Sequence, residues 1–264
     1  MNKLIVVCGP CVIESEEMAL RSAEFLKDLF SNRPIDFIYK SSYDKANRST
    51  ISAYRGPGLE EGLRILERVR STFDIPIFTD VHTPEEACCA GAVCDVIQIP
   101  AFLSRQTDLL VAAGKSGCRV NIKKGQFMAP WDIENAIDKI LSTGNNKIIL
   151  TDRGVSFGYQ NLVSDFRAIP IMQKFGFPVL YDATHSIQLP GSLQTESGGM
   201  REFIPPLSRA SLAAGADGIY AEAHPDPENA ACDRACQIPF HDLSALVDSW
   251  ERIYEAMHTI CTSC

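Results

Sequence analysis

Short runs of β-branched and aliphatic residues recur along the chain, with longer stretches of helical period between them. The runs lie at residues 4–7, 36–39, 75–79, 96–99, 119–122, 147–150, 178–181 and 218–221. Each is short and bounded by turn-forming or polar residues, the pattern of a strand buried on both faces. In 16–30 the apolar residues Met18, Leu20, Ala23, Phe25, Leu26 and Leu29 repeat every three to four positions, which predicts an amphipathic helix. Ser15 followed by Glu16 and Glu17 suits its start, because acidic side chains complement a helix N-terminus. The same period predicts helices over 59–73, with Leu63, Ile65, Leu66 and Val69, and over 132–141, with Ile133, Ala136, Ile137 and Ile140. A last helix is expected over 251–260.

Eight strands alternating with helices predict an α/β protein built as one (β/α)8 TIM barrel, a single catalytic domain over residues 1–264. A doubly wound sheet is the alternative. It usually has fewer strands and a glycine-rich first turn, and neither G-x-G-x-x-G nor G-x-x-x-x-G-K is present here. The one long irregular segment, 186–199, carries Pro190, Gly191, Gly198 and Gly199 and is expected to be a mobile loop over a site.

The predicted strands end on polar residues. The first ends near Cys11 and Glu14, the second at Lys40, and the third at Asp80 and His82. The fourth ends at Gln98, the fifth at Lys123 and Lys124, and the sixth at Asp152 and Arg153. The seventh ends at Asp182 and His185, and the eighth at Glu222 and His224. In a barrel these ends share one face, where active sites form. Loops are polar in any protein, which accounts for part of the pattern. It does not account for cations after strands two, five and six, because crowded like charges repel unless an anion holds them.

The net charge is −8, yet Lys40, Lys45 and Arg48 crowd into K-S-S-Y-D-K-A-N-R-S at 40–49. This contrast implies a site for a strongly anionic small molecule, probed by phosphate-binding cations. The acidic balance argues against nucleic acid, and no apolar run is long enough to cross a membrane. A chain without an export signal is expected to be cytoplasmic, where thiols stay reduced, so the ten cysteines do not imply a disulfide framework.

Cys11, His185 and Glu222 fall after strands one, seven and eight, which are neighbours in a closed barrel. One sulfur, one imidazole and one carboxylate suit a borderline divalent ion such as zinc or iron. Asp233, eleven residues beyond Glu222, can fold back over the mouth. A rival zinc or redox reading uses Cys8-x-x-Cys11 with Cys261-x-x-Cys264.

The longer motifs carry a resemblance. K-S-S-Y-D-K-A-N-R-S at 40–49, I-Q-I-P-A-F-L-S-R-Q-T-D-L at 97–109 and N-I-K-K-G-Q-F-M-A-P at 121–130 resemble the 3-deoxy-D-manno-octulosonate-8-phosphate synthase family. D-R-G-x-x-F-G-Y at 152–159, D-A-T-H-S at 182–186 and A-H-P-D-P-E at 223–228 continue the match over nearly the whole chain. The family condenses phosphoenolpyruvate with arabinose 5-phosphate and water, in a barrel usually assembled as a homotetramer, and its product feeds lipopolysaccharide.

The resemblance implies that Lys40, Lys45, Lys123 and Arg153 grip phosphoenolpyruvate, with Gln98 and the Pro100–Ala101 backbone positioning it and Asp80 lining the same pocket. It assigns Asn47 and Arg48 to arabinose 5-phosphate, and Arg105 to the sugar phosphate in a neighbouring subunit. Cys11, His185, Glu222 and Asp233 match the branch that holds one divalent ion (zinc, iron or manganese); asparagine replaces the cysteine in the metal-free branch. His185, Asp233, Lys123 and Lys45 are the expected catalytic groups.

The related 3-deoxy-D-arabino-heptulosonate-7-phosphate synthases take erythrose 4-phosphate and typically read K-P-R-T-S where this chain has K-A-N-R-S at 45–49. The segment N-A-A-C-D-R-A-C-Q departs from the family, with Cys232 and Cys236 near Asp233. A sugar-phosphate binding protein without turnover, and an aldolase forming a Schiff base at Lys123 or Lys45, complete the alternatives.

Overall fold

Strands apolar on both faces need hydrogen-bonded neighbours on both edges and cover on both sides. In a computed structural model, which describes residues 3–48, 50–191 and 198–261, the chain meets that need by closing on itself. Eight parallel strands follow one another around a barrel: β1 (Leu4–Gly9), β2 (Ile35–Lys40), β3 (Ile77–Asp80), β4 (Val96–Ile99), β5 (Arg119–Lys123), β6 (Ile148–Asp152), β7 (Val179–Asp182) and β8 (Gly218–His224). β1 closes the ring, with Leu4 opposite Ile35 on one edge and Gly9 opposite Glu222 on the other. Gly9 marks the tightest approach, because a β-carbon there would overlap the Lys40 carbonyl oxygen.

The helices α1 (Glu16–Phe30), α2 (Leu59–Phe73), α3 (Pro84–Gly91), α4 (Thr107–Lys115), α5 (Glu134–Leu141), α6 (Ala168–Gln173), α7 (Ile204–Ala213) and α8 (Phe240–Cys261) alternate with the strands. The Ser15 hydroxyl accepts from the Met18 amide, as a helix N-cap should. Four boundaries differ from expectation. The strands expected from 75 and 178 begin later, at Ile77 and Val179, because Pro76 and Pro178 have no amide hydrogen for the ladder. The helix expected from 132 opens with a 3-10 turn at Pro130–Ile133. The last helix starts at Phe240 rather than 251, and it buries Leu243, Leu246, Val247, Trp250 and Tyr254 at helical spacing.

Side-chain alternation divides the core into two shells. Val7, Ile38, Phe78, Val96, Ile149, Leu180 and Tyr220 fill the barrel interior as one apolar layer. Their strand neighbours, among them Val6, Cys8, Tyr39, Ile97, Leu150, Tyr181 and Ile219, face outward into the helices. Phe78 is fully buried in the inner layer. Phe78→Ala is expected to cost about 3–5 kcal/mol of stability, since little can collapse into the space between eight strands. A chemical-denaturation midpoint equal to wild type would refute that assignment of the inner core.

Candidate active site

One residue pair further along each strand, the same alternation that fills the apolar layer brings polar groups into the interior. Lys40 follows Ile38, Asp80 follows Phe78, Gln98 follows Val96, Thr151 follows Ile149, Asp182 follows Leu180 and Glu222 follows Tyr220. Asn121 and Lys123 come from β5, and all these side chains are buried. Burying them demands partners. The Thr151 hydroxyl donates to Asn121 Oδ1 at 2.8 Å, Asn121 Nδ2 to Gln98 Oε1 at 2.8 Å, and Gln98 Nε2 to Asp80 Oδ1 at 3.3 Å. The Ser42 hydroxyl donates to Asp80 Oδ2, and Lys40 Nζ donates to Ser42 at 2.7 Å and Glu222 Oε1 at 3.2 Å.

Cations and carboxylates alternate above this belt. Lys123 Nζ lies 2.7 Å from Asp182 and 3.9 Å from the centre of the Tyr220 ring. Lys45, supplied by the loop after β2, reaches carboxylates only at 3.6 Å (Glu222) and 3.9 Å (Asp80). Arg153 donates to the His185 carbonyl and to Gln188 Oε1, while its buried Nε has no hydrogen-bond partner. The crowding of like charges expected from sequence is therefore offset in part by Asp80, Asp182 and Glu222. Lys45 and Arg153 retain donors free for an anion.

Burial pushes Lys123 below the ordinary lysine pKa, with Lys40 and Arg153 acting the same way against Asp182. Burial and the charge on Lys40 lower Lys45. Burial would raise Glu222, but His185, Lys45 and Lys40 outweigh it and hold the carboxyl at about 2. Burial also works against Asp182, and there His185 and Lys123 prevail, keeping it well below the usual carboxylate range.

The metal-donor residues gather beside the cations. Ligand atoms of His185, Glu222 and Asp233 lie within 4.8 Å of one another, and so do those of Cys11, Cys232 and Asp233. His185 Nδ1 sits 2.8 Å from Asp182 Oδ2, and Nε2 turns toward Glu222 Oε2 at 3.5 Å. A carboxylate on one imidazole nitrogen frees the other to ligate. Glu222 Oε2 is buried without a hydrogen-bond partner, an orphaned anionic atom that a cation would satisfy. The donor set thus fits a divalent ion.

Cys11 reaches this cluster through Asp233, with its Sγ 3.0 Å from Asp233 Oδ2. Its sulfur faces that of Cys232 across a Cα–Cα separation of 6.7 Å, and the two sulfurs with the Asp233 carboxylate form one of the two donor groups. The C-x-x-C reading fails on geometry for Cys8, which faces the helical shell in the outer core while Cys11 belongs to a separate cluster at the rim. Cys264 lies outside the described residues.

Not every expected residue joins the site. Asn47 and Arg105 are exposed, and Arg48 is half-buried with its Nε unpartnered. Lys124, next to Lys123, points the other way along the alternation and pairs with Asp152 at 3.2 Å. The loop at 186–199 is anchored by a short ribbon, Gln188–Leu189 against Gly198–Gly199, and 192–197 lie outside the described residues. Sequence reading missed Cys232 as a partner of Cys11, and it missed Asn121, Tyr220 and Gln188. Period-two counting from the apolar runs could have found the first pair of these, Asn121 and Tyr220. Nothing in the sequence marks Gln188.

The sequence is similar to known proteins over most of its length. The model of the DAHP synthetase I family matches residues 1–259. The chain is 57% identical over 252 residues to the 2-dehydro-3-deoxyphosphooctonate aldolase of Protochlamydia amoebophila, covering 96% of this chain and 92% of that protein. It is 54% identical over 250 residues to the protein of the same name from Geobacter metallireducens (95% and 92%), and 55% over 244 residues to that of Trichlorobacter lovleyi (92% and 90%). With a barrel whose rim alternates cations and metal donors, and a family match spanning nearly its whole length, the chain belongs to the DAHP synthetase I family.

Proposed function

We propose that this protein condenses phosphoenolpyruvate with D-arabinose 5-phosphate and water, releasing 3-deoxy-D-manno-octulosonate 8-phosphate and inorganic phosphate for lipopolysaccharide synthesis. The observation that carries the reading is the juxtaposition of Lys45, Lys123 and Arg153 with the His185–Glu222–Asp233 donor cluster on one barrel rim. The names of the relatives favour the octulosonate reaction over the heptulosonate alternative. The protein is read as a transferase acting in the cytoplasm as a homotetramer, one catalytic barrel per chain.

Two phosphates and a carboxylate bring about five negative charges into the site, and fixed cations both offset that repulsion and orient the reacting carbons. Lys40, Lys45, Lys123 and Arg153 hold phosphoenolpyruvate, with Gln98 fixed beside them by Asn121 and Asp80. Asn47 and Arg48 receive the sugar phosphate, and the exposed Arg105 reaches the site of an adjoining copy. Carbon 3 of phosphoenolpyruvate attacks the aldehyde, water adds at carbon 2, and the tetrahedral species loses phosphate by C–O cleavage.

Cys11, His185, Glu222 and Asp233 would hold one zinc, iron or manganese ion, which supplies Lewis acidity for an aldehyde or a water. Glu222, held at about 2 by His185, Lys45 and Lys40, stays anionic and suited to a cation.

Phosphate release measured with phosphoenolpyruvate and each aldose phosphate is expected with arabinose 5-phosphate and not with erythrose 4-phosphate. Chelator should abolish it and added divalent metal restore it; preference for the four-carbon sugar would overturn the assignment. The lowered pKa of Lys123 sets a pH dependence. Its ammonium binds anion only while protonated, so affinity for phosphoenolpyruvate should fall as pH rises, with a midpoint below the ordinary lysine value of 10.5. Lys123→Met should weaken binding and shrink that limb to the part carried by Lys45, which is lowered as well, and titration calorimetry across pH reads both.

The facing sulfurs predict that oxidation joins Cys11 to Cys232 and removes a ligand, so reductant is expected to raise metal content in wild type. Cys232→Ala should bind metal equally with and without reductant. Metal content independent of reductant in wild type would refute this.

A further inference from the structure

One buried amide links the anion-binding arginine to the metal-donor loop. Arg153 Nη2 donates to Gln188 Oε1 at 2.8 Å, and Gln188 Nε2 donates to Asp233 Oδ1 at 2.8 Å. Chemistry fixes the orientation of this amide: a guanidinium can only donate and a carboxylate can only accept. Turning the amide over would break both bonds at once. Arg153 uses the same nitrogen on the His185 carbonyl at 2.9 Å. A shift of the guanidinium toward an anion is therefore felt at His185 and, through Gln188, at Asp233.

Gln188 is well placed for this. It is buried, and its backbone is paired with Gly199 in the ribbon that follows β7. The ribbon packs directly on the Asp233 loop, since a β-carbon on Gly199 would overlap Cys236 Sγ and lie 3.2 Å from the Ala235 carbonyl. Asp233 itself has φ +49°, a left-handed conformation uncommon for a residue with a β-carbon. Its carboxylate thus leaves the backbone from a loop whose direction is set by neighbours, and two of those neighbours are Gln188 Nε2 and Cys11 Sγ.

We propose that Gln188 is a positioning residue that holds the Asp233 carboxylate in its ligating direction and ties that direction to anion binding at Arg153. The inference rests on the functional reading above, in which Arg153 meets phosphoenolpyruvate and Asp233 meets the metal. Its consequence is a reciprocal coupling: phosphoenolpyruvate tightens metal binding and metal tightens phosphoenolpyruvate binding by the same factor.

The test measures the dissociation constant of Co²⁺ by competition with a chromophoric chelator, under reductant, with and without phosphoenolpyruvate. In the wild-type protein phosphoenolpyruvate should tighten Co²⁺ binding. Gln188→Met keeps the volume and removes both polar ends. It is expected to weaken Co²⁺ binding by about 10–100-fold, the usual loss when an outer partner of a metal ligand is removed, and to abolish the effect of phosphoenolpyruvate on it. A merely structural role would lower the melting temperature and leave the ratio of the two Co²⁺ constants unchanged. If Gln188→Met does not fold, Gln188→Asn gives the same readout, because the shorter amide cannot span both partners. An unchanged ratio in either folded variant overturns the proposal and leaves the functional reading standing. A wild-type protein that binds neither Co²⁺ nor phosphoenolpyruvate overturns both.

Discussion

Side-chain alternation on closed parallel strands is the constraint on which the rest depends. Each strand delivers every second residue to the interior, and ring closure aligns those residues into layers. One step separates the apolar layer at Phe78 and Tyr220 from the ionic layer at Asp80 and Glu222. Both layers are buried, so the charged groups need partners among themselves. Lys40 meets Ser42, Asp80 and Glu222, and Lys123 meets Asp182 and the face of Tyr220. Buried ion pairs seldom add net stability, while removing one partner costs about 3–5 kcal/mol. The fold is held by its apolar shells rather than by the ionic layer.

The loop after β8 follows a different logic. It leaves the regular strand and must be tied back over the mouth. Glu14 accepts from the Ala231 amide and lies 3.3 Å from His224, while Gln237 accepts from the Cys11 amide and donates to the Cys232 carbonyl. Three of these links join residues more than two hundred positions apart. They explain how Asp233 comes to lie beside Cys11 and why its strained backbone is tolerated.

Much of the barrel was legible because burial on both faces and helical period are local signals. The eight apolar runs matched the eight strands; two strand starts moved past Pro76 and Pro178, which lack an amide hydrogen, a 3-10 turn at Pro130 preceded one helix, and the last helix began at Phe240, well before 251. The candidate site was legible where residues end strands: Lys40, Asp80, Gln98, Lys123 and Glu222 all sit at C-terminal strand positions. Asn47, Arg48 and Arg105 were legible only through motif resemblance; Asn47 and Arg105 are exposed and Arg48 is half-buried.

The sequence alone determined the alternation, and with it the barrel, the inner apolar layer and the identity of the groups above it. Those follow from hydrophobic burial and from the two-residue repeat of a strand, both readable without knowing what lies nearby. Only the tertiary structure decided which charges neutralise which, that Lys124 turns away while Lys123 turns in, that Cys232 meets Cys11, and that Gln188 spans Arg153 and Asp233. These are contacts between distant segments whose geometry is set by ring closure and loop packing, and no local pattern in the chain encodes such distances.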